Sequence, residues 1–128
     1  MSSSIQWYLV TPSRNENLQI EMLDSPNGAL LIKLTGPLTL RTLFEFQEAG
    51  RRDAARPVII DIAQVPYMDS AGLGAIISIF ASCQRTSRGF AIIGVTDRIR
   101  TLFQVTHCDG MLPCFDSLEA ADQSLVKR

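Results

Sequence analysis

Apolar and polar positions first alternate between Leu18 and Met22, where Gln19 and Glu21 separate Leu18, Ile20 and Met22. That period of two predicts a half-buried strand. Asp24-Ser25-Pro26-Asn27-Gly28 is dense turn chemistry, and Ala29 to Leu34 reads as a second strand. The pair predicts an antiparallel hairpin with a longer loop. Gly36-Pro37 stops the second strand. Thr39 is then placed to cap a helix running to about Ala49, with Leu40, Leu43, Phe44 and Gln47 along one side and Gly50 at its end. After a polar connector, Pro57 opens the nearly continuous apolar run Val58-Ile59-Ile60-Asp61-Ile62, which suits a central strand covered on both faces.

The strongest helical period follows, from about Ser70 to Thr86. Leu73, Ile76, Ile77 and Phe80 fall at i, i+3, i+4 and i+7, and Cys83 continues the stripe. Ser87-Arg88-Gly89 breaks it, and Phe90 to Val95 predicts another apolar strand. Thr96-Asp97 opens a helix carrying Ile99, Leu102, Phe103 and Val105 on its apolar side. Cys114-Phe115 reads as a short fifth strand, and Ser117 with Ala120 starts a last helix with acid in its first turn. The alternation predicts an α/β domain with a mixed four- to five-stranded sheet, an N-terminal β-hairpin and about four helices. Residues 1–17 stand apart from residues 18–128. Ile5 to Val10 is strand-like but followed by a polar break, which predicts an arm or an extra edge strand. Trp7 and Tyr8 there offer cover for the sheet edge or a surface for a homodimer.

Composition narrows the function. The chain has 128 residues, 46% of them hydrophobic, enough for one domain with a sizeable core. Its 12 basic and 13 acidic residues nearly cancel, so nothing in the balance advertises direct nucleic-acid binding. Met1-Ser2-Ser3-Ser4 lacks a secretory signal pattern, and no apolar run suits a membrane span, so no membrane insertion is expected. Cys83, Cys108 and Cys114 are an odd number and suit a reducing, cytoplasmic setting, with Cys83 and Cys108 packing as small apolar residues. His107-Cys108 with Cys114 lacks a fourth ligand and paired spacing, so no metal is expected. The single histidine, the absence of a phosphate-binding glycine loop and the lack of an acidic pair with a later lysine argue against catalysis, and no cofactor is expected.

The information is concentrated in Tyr67-Met68-Asp69-Ser70-Ala71-Gly72-Leu73-Gly74, in the loop after a buried strand and at the opening of a helix. In open α/β sheets such loops meet ligands and partners. Ser70 suits an N-cap, a contact residue, or both. On a helical wheel, Ala71, Gly74, Ala75 and Ser78 lie opposite the apolar stripe; with Asp69 and Ser70 they form a face of small side chains that another protein can approach. Asp61, a carboxylate inside an apolar strand, is expected to hold the Ser70 loop by accepting backbone N–H groups. Gly72 is expected to permit close backbone approach.

The strand Val58 to Ile62, followed by Met68-Asp69-Ser70-Ala71-Gly72-Leu73-Gly74, resembles the strand–Asp–loop–Asp-Ser-Ser-Gly-Leu-Gly signature of STAS domains, and most of all the bacterial anti-sigma-factor antagonists. Leu34-Thr35-Gly36, Gly89-Phe90, Asp97 and Leu102-Phe103 add weaker marks, and the resemblance spans roughly residues 18 to 126. It implies that Ser70 is phosphorylated by an anti-sigma-factor serine kinase, that the unphosphorylated protein binds that kinase and frees a sigma factor, and that a serine phosphatase resets the switch. Two departures stand out. Gly36-Pro37-Leu38-Thr39 replaces the Gly-Glu-Leu-Asp common in the family, and Ala71 replaces a second serine, leaving one hydroxyl in the motif. The resemblance also admits a STAS scaffold that is never phosphorylated, in a stress-signalling assembly or as an accessory subunit of a lipid or anion transporter, with Ser70 only a cap.

Overall fold

The computed structural model describes residues 17–126; the expectation of an arm or edge strand within the first sixteen residues lies outside them. The elements are β1 (Gln19–Asp24), β2 (Leu30–Thr35), α1 (Leu43–Arg51), β3 (Val58–Gln64), α2 (Ser70–Arg85), β4 (Phe90–Ile93), α3 (Asp97–Val105), β5 (Cys114–Phe115) and α4 (Leu118–Ser124). The five strands form one sheet in the order β1-β2-β3-β4-β5. β1 is antiparallel to β2, and every later pairing is parallel. The hairpin and the mixed sheet are as the patterning predicts.

Strand alternation divides the core into two layers. Leu30, Ile32, Leu34, Val58, Ile60, Ile62, Phe90 and Ile92 face one way and pack with Phe46 of α1, Leu73 and Ile76 of α2, and Ile99 and Phe103 of α3. Leu31, Ile59, Ala91 and Ile93 face the other way, against Ala121 of α4 with Leu118 and Leu125 beside it. The unbroken apolar run of β3 is thus explained, because helices cover both of its faces.

Three elements differ from their expected form. α1 begins at Leu43, after a tight turn closed by Thr42. The Thr42 hydroxyl donates to the Pro37 carbonyl at 2.9 Å and accepts the Thr39 N–H at 2.9 Å. Its inner face is Leu43, Phe46, Ala49 and Gly50, whereas Leu40 and Phe44 point to solvent. The reason is packing. Phe46 fills the core completely, and Gly50 lies inside the helix where a Cβ would come within 2.5 Å of Ile79 Cδ1, so α1 turns the Phe46–Gly50 side toward α2. β4 ends at Ile93 instead of Val95, because Gly94 takes a positive φ of 80°. In α3, Ile99 and Phe103 are buried, but Val105 is exposed at the last helical position.

A buried carboxylate joins the two ends of the fold. Asp122 Oδ1 accepts the Ser25 hydroxyl at 2.5 Å, and Oδ2 accepts the Asn27 backbone N–H at 3.1 Å and its side-chain amide at 2.8 Å. Ser25 Oγ in turn accepts the Ala29 N–H at 2.8 Å. The β1–β2 turn is therefore clamped to α4. Asp122→Ala would strand the buried Ser25 hydroxyl and remove the charged acceptor of Asn27, at a cost of about 3 kcal/mol. Urea unfolding measures it; a loss under about 1 kcal/mol would show that water replaces the carboxylate.

Candidate partner-binding site around Ser70

The loop before α2 is held by the segment that follows β2. Leu38 and Met68 form a parallel bridge, the Leu38 N–H donates to the Tyr67 carbonyl at 3.2 Å, and the Asp69 N–H donates to the Leu38 carbonyl at 3.3 Å. Gly36 N–H reaches the Gln64 carbonyl at 3.0 Å. Residues 36–40 and 64–69 thus run side by side as an extension of the sheet.

Asp69 is the N-cap of α2. Its Oδ1 accepts the Gly72 N–H at 2.8 Å, and its Oδ2 accepts the Leu40 N–H at 3.1 Å. One carboxylate therefore starts the helix and holds the neighbouring loop. Ser70 is the first helical residue, exposed, and its hydroxyl is not the capping acceptor. The sequence reading had allowed Ser70 the cap. Asp69 takes it because it holds the extended position before the first helical residue, and its two oxygens serve donors on two segments.

The other expected site residues separate. Gly74 and Ser78 are exposed at successive turns below Ser70, so Asp69, Ser70, Gly74 and Ser78 form a narrow accessible strip. Ala71 is half-buried against the main core. Ala75 is buried and does not belong to the accessible face. The wheel placed it outward because it saw only the sheet as cover, and α1 packs against that side as well. Gly72 matches its expected role, since a Cβ there would overlap the Leu38 carbonyl oxygen. Gly74 does not share it, because a Cβ there meets nothing within 4 Å.

Asp61 does not hold the Ser70 loop. Its carboxylate accepts the Ala63 N–H, two residues on in its own strand, at 3.0 Å. It is only half-buried, because it points to the face of β3 that α4 covers, near the end of that cover. The loop-holding carboxylate is Asp69. The departures at Pro37 and Thr39 also have a structural consequence, since both positions enter the Thr42 turn that opens α1.

Leu40 and Phe44 were missed as surface residues. They are four residues apart in the chain, a spacing that reads equally well as a core stripe, and only packing shows that they face water. Cys83 is fully buried, and burial pushes its thiol above the usual range despite the nearby Arg88 guanidinium. Half-buried Cys114 is raised for the same reason, against the pull of Arg100. Among the described residues no three His, Cys, Asp or Glu side chains converge as a metal site, and no helix is long and apolar enough to cross a membrane.

The fold is a mixed-sheet α/β domain with a serine displayed at the first turn of a central helix. Residues 20–121 match the family model of the STAS domain, and the chain belongs to that family. Over 78 residues it is 33% identical to an anti-sigma-B factor antagonist of Staphylococcus aureus, covering 59% of this chain and 72% of that protein. An anti-sigma factor antagonist from Mycobacterium paratuberculosis superposes with a TM-score of 0.73 at 18% identity, over 84% of this chain and 93% of that one. The unphosphorylated form of the anti-sigma factor antagonist SpoIIAA superposes with a TM-score of 0.67 at 16% identity, over 85% of this chain and all of that one. The phosphorylated form of the Bacillus cell fate determinant SpoIIAA gives 0.65 at 15% identity, over 83% and 99%. At these identities the three structural likenesses are likenesses of fold, and the sequence relatives are anti-sigma-factor antagonists.

Because Asp69 carries the cap, Ser70→Ala is expected to change stability by no more than about 0.5 kcal/mol. Asp69→Ala should cost about 1–2 kcal/mol, and Gly72→Ala about 1–3 kcal/mol because backbone must move. Denaturant unfolding of the three variants checks the order. A Ser70→Ala loss as large as that of Asp69→Ala would return the cap to the serine.

Proposed function

We propose that this domain is an anti-sigma-factor antagonist controlled by phosphorylation of Ser70. The unphosphorylated domain binds an anti-sigma-factor serine kinase through the Asp69–Ser70–Gly74–Ser78 strip and so frees a sigma factor. The kinase phosphorylates Ser70, the complex dissociates, and a serine phosphatase restores the binding form. The observation that carries the reading is an exposed serine at the first helical position, next to a cap that does not need its hydroxyl. The curated relatives support the antagonist role, and the two forms of SpoIIAA support a fold that persists with and without a phosphoryl group.

The physical logic is local. A phosphoserine carries about −1.5 to −2 charges at neutral pH. At a helix N-terminus the free N–H groups and the helix dipole tolerate an anion. Asp69 repels it, but both groups are solvated. The domain therefore keeps its fold, and the charge acts on the contact. An unpaired dianion in a closely packed interface costs several kcal/mol. At about 1.4 kcal/mol per tenfold, that empties a micromolar complex.

Incubation of the domain with the serine-kinase anti-sigma factor of the same genome and ATP, followed by phosphosite mapping, is expected to label Ser70 alone. Ser70→Ala should bind that kinase within a few-fold of wild type, and Ser70→Glu at least tenfold more weakly. Label on another residue, or wild-type affinity in Ser70→Glu, would refute the switch.

Gly74 offers an independent check. With open space at its Cβ position, Gly74→Ala should raise stability by up to about 1 kcal/mol. If the kinase packs closely on the strip, the same variant binds it more weakly. Unchanged affinity would remove Gly74 from the contact.

A further inference from the structure

We propose that Ile5–Val10 forms a further strand, antiparallel to β1, that covers the open edge of the sheet and seats Trp7 against Met22. The proposal is independent of the switch reading. Three observations carry it. The first is the edge itself. The sheet ends on β5, of two residues, and on β1, of six. β1 pairs with β2 in an unbroken register from Gln19 to Asp24, with no proline and no bulge. Every second residue of β1 therefore turns its N–H and C=O away from β2. Its apolar side chains are also incompletely covered. Ile20 and Met22 are half-buried on the α1 side, and Leu23 is 41% exposed on the other. A long edge of this kind is a template for another strand.

The second observation is where the chain enters. The Asn17 backbone is seated against Gly36, where a Cβ would overlap the Asn17 carbonyl oxygen. Asn17 also lines a groove between the start of β1 and α1, with Arg41 and Phe44. The segment before it is thus delivered to the open edge. Thr11 to Leu18 join Val10 to Gln19, and Pro12 and Asn15 among them suit a reversal of the chain. At about 3.3 Å per residue this connection easily reaches the next strand position, about 4.8 Å from β1.

The third observation is the match of the two sequences. Ile5–Val10 is as long as β1, and all of it but Gln6 is β-branched, aromatic or aliphatic. Antiparallel pairing with Val10 opposite Gln19 sets Leu9 opposite Ile20 and Trp7 opposite Met22, so the apolar sides of both strands coincide. A groove of about 330 Å³ lies on that side, between Ile20, Met22, Ala49 and Arg52. Arg52 Nη1 is 3.9 Å from Met22 Sδ. An indole on Met22 gains a sulfur–aromatic contact and a guanidinium beside its ring. A second copy of β1 is the poorer occupant. β1 carries Glu21 and Asp24 and no base, so two copies meet like charge, whereas Ile5–Val10 carries no charge.

Trp7 is the only tryptophan of the chain, so its emission reports this segment alone. In the full chain the emission should be blue-shifted and shielded from acrylamide, and urea should remove both properties. Tyr8→Pro and Leu9→Pro keep this probe. Adjacent residues face opposite ways, so one of the two variants removes a donor to β1. That variant should red-shift Trp7, lower the thermal midpoint by about 5 °C, and make the outward-facing β1 amides exchange at least tenfold faster. Trp7 emission and quenching that do not change on unfolding would overturn the proposal. So would β1 exchange that neither proline alters, since a shielded Trp7 would then lie elsewhere. A blue-shifted Trp7 that reddens on dilution as a dimer dissociates would give the edge to a second copy, with the same consequence.

Discussion

The site depends on one carboxylate. Asp69 accepts the Gly72 N–H on one oxygen and the Leu40 N–H on the other. The first bond starts the central helix, and the second fixes the loop between β2 and α1 beside it. Because both are made by one side chain, the position of Ser70 and that of Leu40 are set together. Gly72 completes the arrangement, since any larger residue would collide with the Leu38 carbonyl and push the two segments apart. Ser70 is left as a displayed side chain with no structural duty at the cap.

Around this point the scaffold is rigid by construction. Strand alternation buries two apolar layers, one under α1, α2 and α3 and the other under α4. The Asp122 clamp ties the first turn of the sheet to the last helix, which closes the structure at the end of β2 where the chain enters the sheet. A charge added at Ser70 therefore meets a framework that does not need to yield. On the switch reading, its effect falls on whatever lies against the surface.

The departures at Pro37 and Thr39 belong to the same logic. The Pro37 carbonyl and the Thr39 N–H are the partners of Thr42, which closes the turn before α1. That turn shifts the helix start to Leu43 and leaves Leu40 outside it. In this chain the loop beside the serine exposes Leu40 and Arg41 and lacks the pair of carboxylates.

Much of this was legible in the residues. The two-residue alternation at Leu18–Met22, the unbroken run at Val58–Ile62 and the helical stripe through Leu73, Ile76, Ile77, Phe80 and Cys83 specify their elements by themselves, because each period matches a single backbone geometry. The motif from Asp69 to Gly74 likewise marked the family, and Gly72 the close approach. Other features needed the neighbours. Leu40, Leu43 and Phe44 fit a core stripe as well as Leu43, Phe46 and Gly50 do, and the choice fell to the fit of Phe46 into the core and of Gly50 against Ile79. Ala75 looked outward until α1 covered it. Asp61 was the expected holder of the loop, and only the hydrogen bonds from Ala63 to Asp61 and from Gly72 and Leu40 to Asp69 gave that part to Asp69. Periodicity records which side of an element is apolar; it does not record what packs against the other side, and hydrogen bonds between segments far apart in the chain leave no period at all.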